Sequence, residues 1–298
     1  MVQPAAMLRL KQPGPPSLPR VESLPALVWP IEFALEPGLS LLQSVADKLG
    51  PAGVASAVLE LRGGGFARFT YVLPAHATDG VHAAWYSKPH APAGGAMLER
   101  ANISFGRRGE APWLHCHAVW REGAGRRAGH VLPEASVVAA PIAVRAWCLS
   151  GGGFQVQADA ETDFALFQPA KLQGPPAPHG ARRAAVVRVR PNEDLAAALE
   201  TACRRHGFRR AILRGGVGSI ITPRFADGRA VPDIATEFLA TAGAVGLGSG
   251  TAVSVDIVDM QGRVHAGRLL RDANPVCITC ELVLQEAATA PPDPQRAV

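Results

Sequence analysis

The side chains in this chain whose types and spacing could do chemistry are His115, His117 and His130. The run Trp113 to Trp120 (WLHCHAVW) is aromatic and β-branched enough to form a strand. Alternate side chains then share a face, which puts His115 and His117 about 6.6–6.8 Å apart on one side and turns Cys116 to the other. The loop that follows, REGAGRR, carries two glycines and reads as a hairpin connection. Centred between Gly123 and Ala124, it sets His130 opposite His117. Directly opposed Cβ atoms lie about 4.5–5.5 Å apart and diagonal ones about 7–8 Å, so all three rings can reach a common point. Three neutral imidazoles with an open fourth position are the donor set of a catalytic Zn²⁺ site, and Ni, Co, Cu or Fe accept the same donors. Glu134, four residues past His130, is placed as a base or an orienting partner, although a solvated charge is the plainer reading.

Other signals are weaker. Cys277 and Cys280 have CxxC spacing but lie in an apolar strand, where positions i and i+3 face opposite sides, so a buried inert pair is expected. The five cysteines are odd in number and widely spaced, which predicts reduced thiols. The turns Arg62-Gly63-Gly64 and Arg214-Gly215-Gly216 offer backbone N–H groups to an anion, but no Walker lysine follows and tight turns beside a sheet are favoured. Arg204, Arg205, Arg209 and Arg210 form the best candidate phosphate patch, at a helix C-terminus where cations are favoured in any case.

Three stretches read as connectors: a Pro-rich leader over 1–30 with seven prolines, a linker over 168–183 (QPAKLQGPPAPHGARR) and a tail over 286–298 with its own PPDP. They leave two blocks, 31–167 and 184–285. Each block runs strand, Pro turn, helix, strand, Gly turn and further strands. The helices carry apolar positions at Leu41, Leu42, Val45 and Leu49 and at Leu195, Ala198, Leu199 and Ala202, and end at Gly50 and Gly207 where C′ glycines belong. Leu61-Arg62-Gly63-Gly64 answers Leu213-Arg214-Gly215-Gly216, and LHCHAVWREGAGRRAGHVL answers VSVDIVDMQGRVHAGRLL.

This ordered set of motifs resembles the plants-and-prokaryotes conserved domain (PPC or PCC domain), present as a tandem of two copies. The second block carries the front of the family pattern, with NEDL, RGGVGS and Glu237 six residues before Gly243. The first carries the back, with His115-Cys116-His117 and Ala128-Gly129-His130, but has Arg100 where the second has Glu237. The resemblance implies an α/β (α+β) fold in which each domain is a mostly antiparallel sheet or sandwich with helices on one face, commonly assembled as a homotrimer. Aligning the blocks sets Ser254, Asp256 and Arg268 at the positions of the three histidines, and Asp256 is expected to pair with Arg268 across its hairpin, which marks the second block as degenerate.

Composition bounds the function. With 298 residues, 48% hydrophobic and 18% charged, and with 31 glycines and 26 prolines, the chain is globular and rich in turns, neither fibrous nor disordered. No apolar run approaches the roughly 20 residues of a spanning helix, so a soluble cytoplasmic protein without a membrane partner is expected. A net charge of +5 permits phosphate contacts without requiring them. The leading expectation is therefore an oligomeric metal-binding module, enzyme-like or small-molecule binding, with a His₃ site for Zn²⁺ or another transition metal. The alternatives are a DNA-binding or regulatory protein that contacts DNA non-specifically through the four arginines, since the AT-hook of plant relatives is absent, and an assembly scaffold without chemistry.

Overall fold

The computed structural model describes residues 7–248 and 250–288. The first half runs β1 (Val21–Leu35), α1 (Leu41–Leu49), β2 (Ala57–Arg62), β3 (Gly65–Arg68), β4 (Tyr71–Val72), β5 (Pro74–Ala75), β6 (Trp85–Tyr86), β7 (Ala96–Arg108), β8 (Ala111–Glu122), β9 (Gly125–Val131), β10 (Val137–Ala140), β11 (Ile142–Ser150), β12 (Gly153–Asp159) and β13 (Phe164–Ala170). The second runs β14 (Arg182–Val189), α2 (Leu195–His206), β15 (Arg210–Ile220), β16 (Thr236–Gly246), β17 (Gly250–Val258), β18 (Val264–Arg268) and β19 (Val276–Glu286).

The repeated motif order is a repeated strand order. In the first half the ladder is β1-β11-β2-β7-β8-β9, antiparallel throughout. In the second it is β14-β19-β15-β16-β17-β18, again antiparallel. A mostly antiparallel sheet with two helices is the expected α+β class. Each helix buries one stripe on its own half: Leu41, Val45 and Leu49 in the first core, Leu195, Ala198, Leu199 and Ala202 in the second. Ser40 and Asp194 cap the helix N-termini by accepting from Gln43 and Ala197. Gly207 has the expected left-handed C′ conformation, at φ 71°. Gly50 does not: its φ is −59°, and the chain continues through a 3₁₀ turn to a left-handed Gly53.

The halves are joined by backbone as well as by side chains. Val21–Val28 of β1 pairs with β14, while Leu27–Leu35 of the same strand pairs with β11. A third core forms between the halves, where Val28, Val58 and Trp147 meet Val186 and Val283. The buried Asn102 of β7 donates to the carbonyls of Gly216 and Ala240 at 3.1 and 2.7 Å. Gly215 and Gly216 interrupt the β15–β19 register as a bulge, so the glycine turn here shapes the sheet rather than cradling an anion.

Two stretches expected as connectors are structured. The leader's residues 21–30 belong to β1, and its earlier part is laced onto the second half, with Leu10 and Asn192 exchanging bonds of 2.8 and 2.9 Å and Gln12 donating to the Cys277 carbonyl at 3.0 Å. Proline rules out a donor only at its own position, so a sheet accepts Pro25 and Pro30 where no ladder N–H is needed. Residues 168–170 end β13 and residues 182–183 open β14, which shortens the unpaired linker at both ends. The PPDP of the tail lies outside the described residues. Among the described residues, no helix is long and apolar enough to cross a membrane.

A buried ion cluster holds the β12–β13 turn against β14. Arg188, fully buried, reaches Asp159 at 3.0 Å, and Arg190 reaches Asp159 at 2.8 Å and Glu22 at 2.5 Å. Arg20 closes on Glu161 at 2.7 Å. Burial alone would raise the Asp159 carboxyl, but Arg188 and then Arg190 outweigh it and hold its pKa down at about 2. A depressed carboxylate pKa stabilises the fold above the unfolded value of about 3.9 and loses that contribution as pH falls toward 2. Asp159→Asn is therefore expected to cost about 3–5 kcal/mol at pH 7, by leaving two buried guanidinium groups short of a partner. In urea titrations the gap to the parent should narrow steadily below pH 4; a gap independent of pH would contradict the ion pairing.

Candidate metal centre

Strand alternation on β8 aims Trp113, His115 and His117 to one side and packs Cys116 into the core of the first half on the other. The β8–β9 hairpin has the expected register, with His117 opposite His130. The three ring centroids lie 4.6, 4.8 and 5.3 Å apart, and one nitrogen from each ring falls within 4.8 Å of the others. His117 is 2% exposed, and the other two rings are partly covered.

The second half supplies the groups that orient these rings. The Nδ1–H of His117 donates to the Phe238 carbonyl of β16 at 2.7 Å, and the Nδ1–H of His115 donates to Glu281 of β19 at 2.9 Å. The Phe238 carbonyl can only accept, so His117 carries a hydrogen on Nδ1; in the neutral Nδ1–H form of each ring, Nε2 presents a lone pair. The two Nε2 atoms face each other at 3.0 Å. Two lone pairs at that distance repel unless a cation lies between them. A proton would make one ring an imidazolium; a metal ion about 2.0–2.1 Å from each nitrogen would hold both, the pair opening to about 3.3–3.4 Å at a tetrahedral angle. Burial, reinforced by the neighbouring His115 and His117, outweighs Glu237 and lowers the pKa of His130 to about 4, which keeps this ring in the neutral, ligating form at pH 7. Burial also pushes the His115 pKa down, but Glu281 outweighs it and the net shift is upward.

Glu237 of β16 flanks the cluster, 3.5 Å from His117 and 3.7 Å from His130. Burial would raise its carboxyl, yet His117 and His130 pull it well below the usual carboxylate range. The Tyr86 hydroxyl lies 3.3 Å from His130 Nδ1. Glu134 is exposed at the edge of the adjoining cavity and contacts no ring, as expected of a solvated charge. Glu281 and Tyr86 escaped sequence reasoning. The available signal for Glu281 was its place as the single charge in the apolar strand PVCITCELVL.

Residues 177–288 match the model of the Plants and Prokaryotes Conserved (PCC) domain. This segment is a PCC domain. It contributes Glu237, Phe238 and Glu281, whereas the histidines lie before it. Three solved structures similar to this chain are a metal-containing protein of Archaeoglobus fulgidus (16% identity, TM-score 0.39, covering 47% of this chain and 93% of that one), a plant- and prokaryote-conserved protein of Pyrococcus horikoshii (15%, 0.40, 50% and 97%) and a protein of Ralstonia eutropha JMP134 whose name proposes DNA binding (14%, 0.37, 46% and 89%). The chain matches no curated protein.

The PCC segment also carries the counterpart of the histidine face, and here one expectation fails. Asp256 does not pair with Arg268. The β17–β18 hairpin sets Asp256 opposite Ala266 and Arg268 opposite Ser254, which leaves Arg268 exposed. Asp256 instead meets Arg100 of β7 at 2.6 Å, with Arg126 at 4.0 Å. His117 with Glu237 and Asp256 with Arg100 thus occupy the same two strand positions with the halves exchanged. One pair can hold a cation; the other is already an ion pair.

The four arginines proposed for phosphate, Arg204, Arg205, Arg209 and Arg210, are all exposed. Arg205 also donates to the Val21 carbonyl at 2.6 Å and Arg204 to the Thr201 hydroxyl at 3.0 Å. Cys277 and Cys280 are buried, free and in different cores, and burial pushes the Cys277 thiol up to about 12.

The Asp256–Arg100 pair is asymmetric: the carboxylate is 1% exposed and the guanidinium 32%. Arg100→Ala leaves the buried Asp256 with only Arg126, at 4.0 Å, and should cost about 3–5 kcal/mol. Asp256→Asn leaves an arginine that can reach water and should cost clearly less. Urea midpoints of the two variants check this; equal losses, or a larger one for Asp256→Asn, would contradict it.

Proposed function

We propose that the chain is a tandem of two PCC-like domains, 31–167 and 184–285, that binds one transition metal ion through His115, His117 and His130 and serves as a small-molecule-binding, enzyme-like module. The observation that carries this reading is the pair of Nε2 atoms that converge at 3.0 Å while both Nδ1 atoms are held by groups from the other half. Zinc is the first choice for three neutral imidazoles, and its Lewis acidity is the chemistry the ion supplies when bound. Glu281 and the Phe238 carbonyl fix the ring orientations, and Glu237 is a carboxylate within reach of whatever the site holds. Self-association as a trimer, the assembly common in the family, completes this reading.

Non-specific DNA binding is the second reading. Its support is the net charge of +5 and the exposed Arg204, Arg205, Arg209 and Arg210; the bonds that Arg205 and Arg204 make within the fold weaken it.

Elemental analysis of protein purified without chelator should give close to one metal per chain, reduced to background in His117→Ala. Glu281→Gln should keep the fold and weaken metal affinity about 10–100-fold. Two metals per chain, or content unchanged in His117→Ala, would overturn the assignment. Light scattering should show three times the 31.2 kDa chain mass, and a monomer at micromolar concentration would remove the trimer from it.

A further inference from the structure

Beside the histidines lies a cavity of about 400 Å³, within the range of small-molecule sites. Its roof and far wall come from segments without a counterpart in the second half: the β12–β13 hairpin supplies Phe164, Leu166 and Phe167, and the β5–β6 strap supplies Trp85. Trp85 stacks on Phe164 with centroids 5.1 Å apart and planes 29° apart. Trp113, two residues before His115, continues the histidine face of β8 as an aromatic wall.

The polar lining is uneven. The three imidazoles, Glu237, Glu281 and the Tyr86 hydroxyl form one cluster, and the rest of the lining is largely aromatic and aliphatic, with Ser219, Thr236, Thr279, Glu134 and Arg108 as its other polar side chains. The cluster holds two carboxylates and no lysine or arginine. The single guanidinium in the lining, Arg108, is exposed and lies flat over Trp113 at 3.6 Å. A divalent ion at the histidines balances the two acids and leaves no surplus positive charge for an anionic head group. Phosphates, nucleotides and carboxylates are therefore poor occupants, and a flat apolar molecule with one neutral oxygen donor fits both parts of the lining.

We propose that this cavity takes a neutral aromatic ligand of one or two fused rings, its phenol- or alcohol-type oxygen directed at the histidines and its rings held between Trp113 and the Trp85–Phe164 pair. The inference deepens the metal-site reading and rests on it for the direction of the oxygen, whereas the aromatic clamp is independent of the ion.

Isothermal titration of the zinc-loaded full chain with 2-naphthol and with 2-naphthoate tests the proposal, with metal content measured on the same samples. Naphthol should bind at least about tenfold tighter than naphthoate. Trp85→Ala, at an exposed position, and Trp113→Leu should each weaken naphthol about tenfold or more with metal content unchanged. Naphthoate binding as tightly as naphthol, or naphthol failing to bind protein that holds its full metal, would overturn the ligand class. Protein that takes up no zinc yet still binds naphthol through Trp85 and Trp113 would uphold the clamp and refute the metal site.

Discussion

Two hydrogen bonds that cross from one half of the chain to the other decide what the histidines are. Without the Phe238 carbonyl and the Glu281 carboxylate, His115 and His117 would be free to rotate and to choose either tautomer, and an HxH stripe on a strand would carry no chemical direction. With them, each ring is fixed through its Nδ1 and aims its Nε2 at the other. The site is thus a property of the seam. That explains why so much of the fold goes into the seam's rigidity: the strand shared between both ladders, the Asn102 bridge and the buried ion cluster at Asp159.

The near-symmetry of the two halves makes the difference between their faces informative. One pair of strand positions carries an imidazole and a carboxylate, the exchanged pair a carboxylate and a guanidinium. Swapping a neutral ring for an acid and an acid for a base turns a cation site into a closed ion pair with the backbone ladders unchanged. The repeated strand order therefore carries a histidine–carboxylate cluster in one place and an ion pair in the other.

What was legible in the sequence was local. The β8–β9 register follows from a short glycine hairpin, so His117 and His130 could be placed opposite each other from spacing alone, and the helix stripes follow from their period. The Asp256–Arg268 pairing failed for the same kind of reason, because the turn after Val258 sets a register in which those residues are diagonal rather than opposed. Glu281 and Tyr86 were hidden because their relation to the histidines is made by tertiary docking, with Glu281 lying 166 positions after His115. Only the end of the hairpin that roofs the cavity, residues 168–170, falls in a stretch whose prolines make it read as a connector. The leader was misjudged on the same ground.

The strand Val21–Leu35 also has a temporal consequence. Its first residues find their partners in Arg182–Val189, so they leave the ribosome some 150–170 residues before the edge they pair with. Throughout that interval the nascent first half presents an open strand edge that its own sequence cannot close. The fold is accordingly one of high contact order, in which the N-terminal domain completes its sheet only after the next has begun to emerge. Synthesis, rather than stability, is where this architecture is exposed: a ribosome stalled before residue 182 would hold a chain poised to pair with another copy.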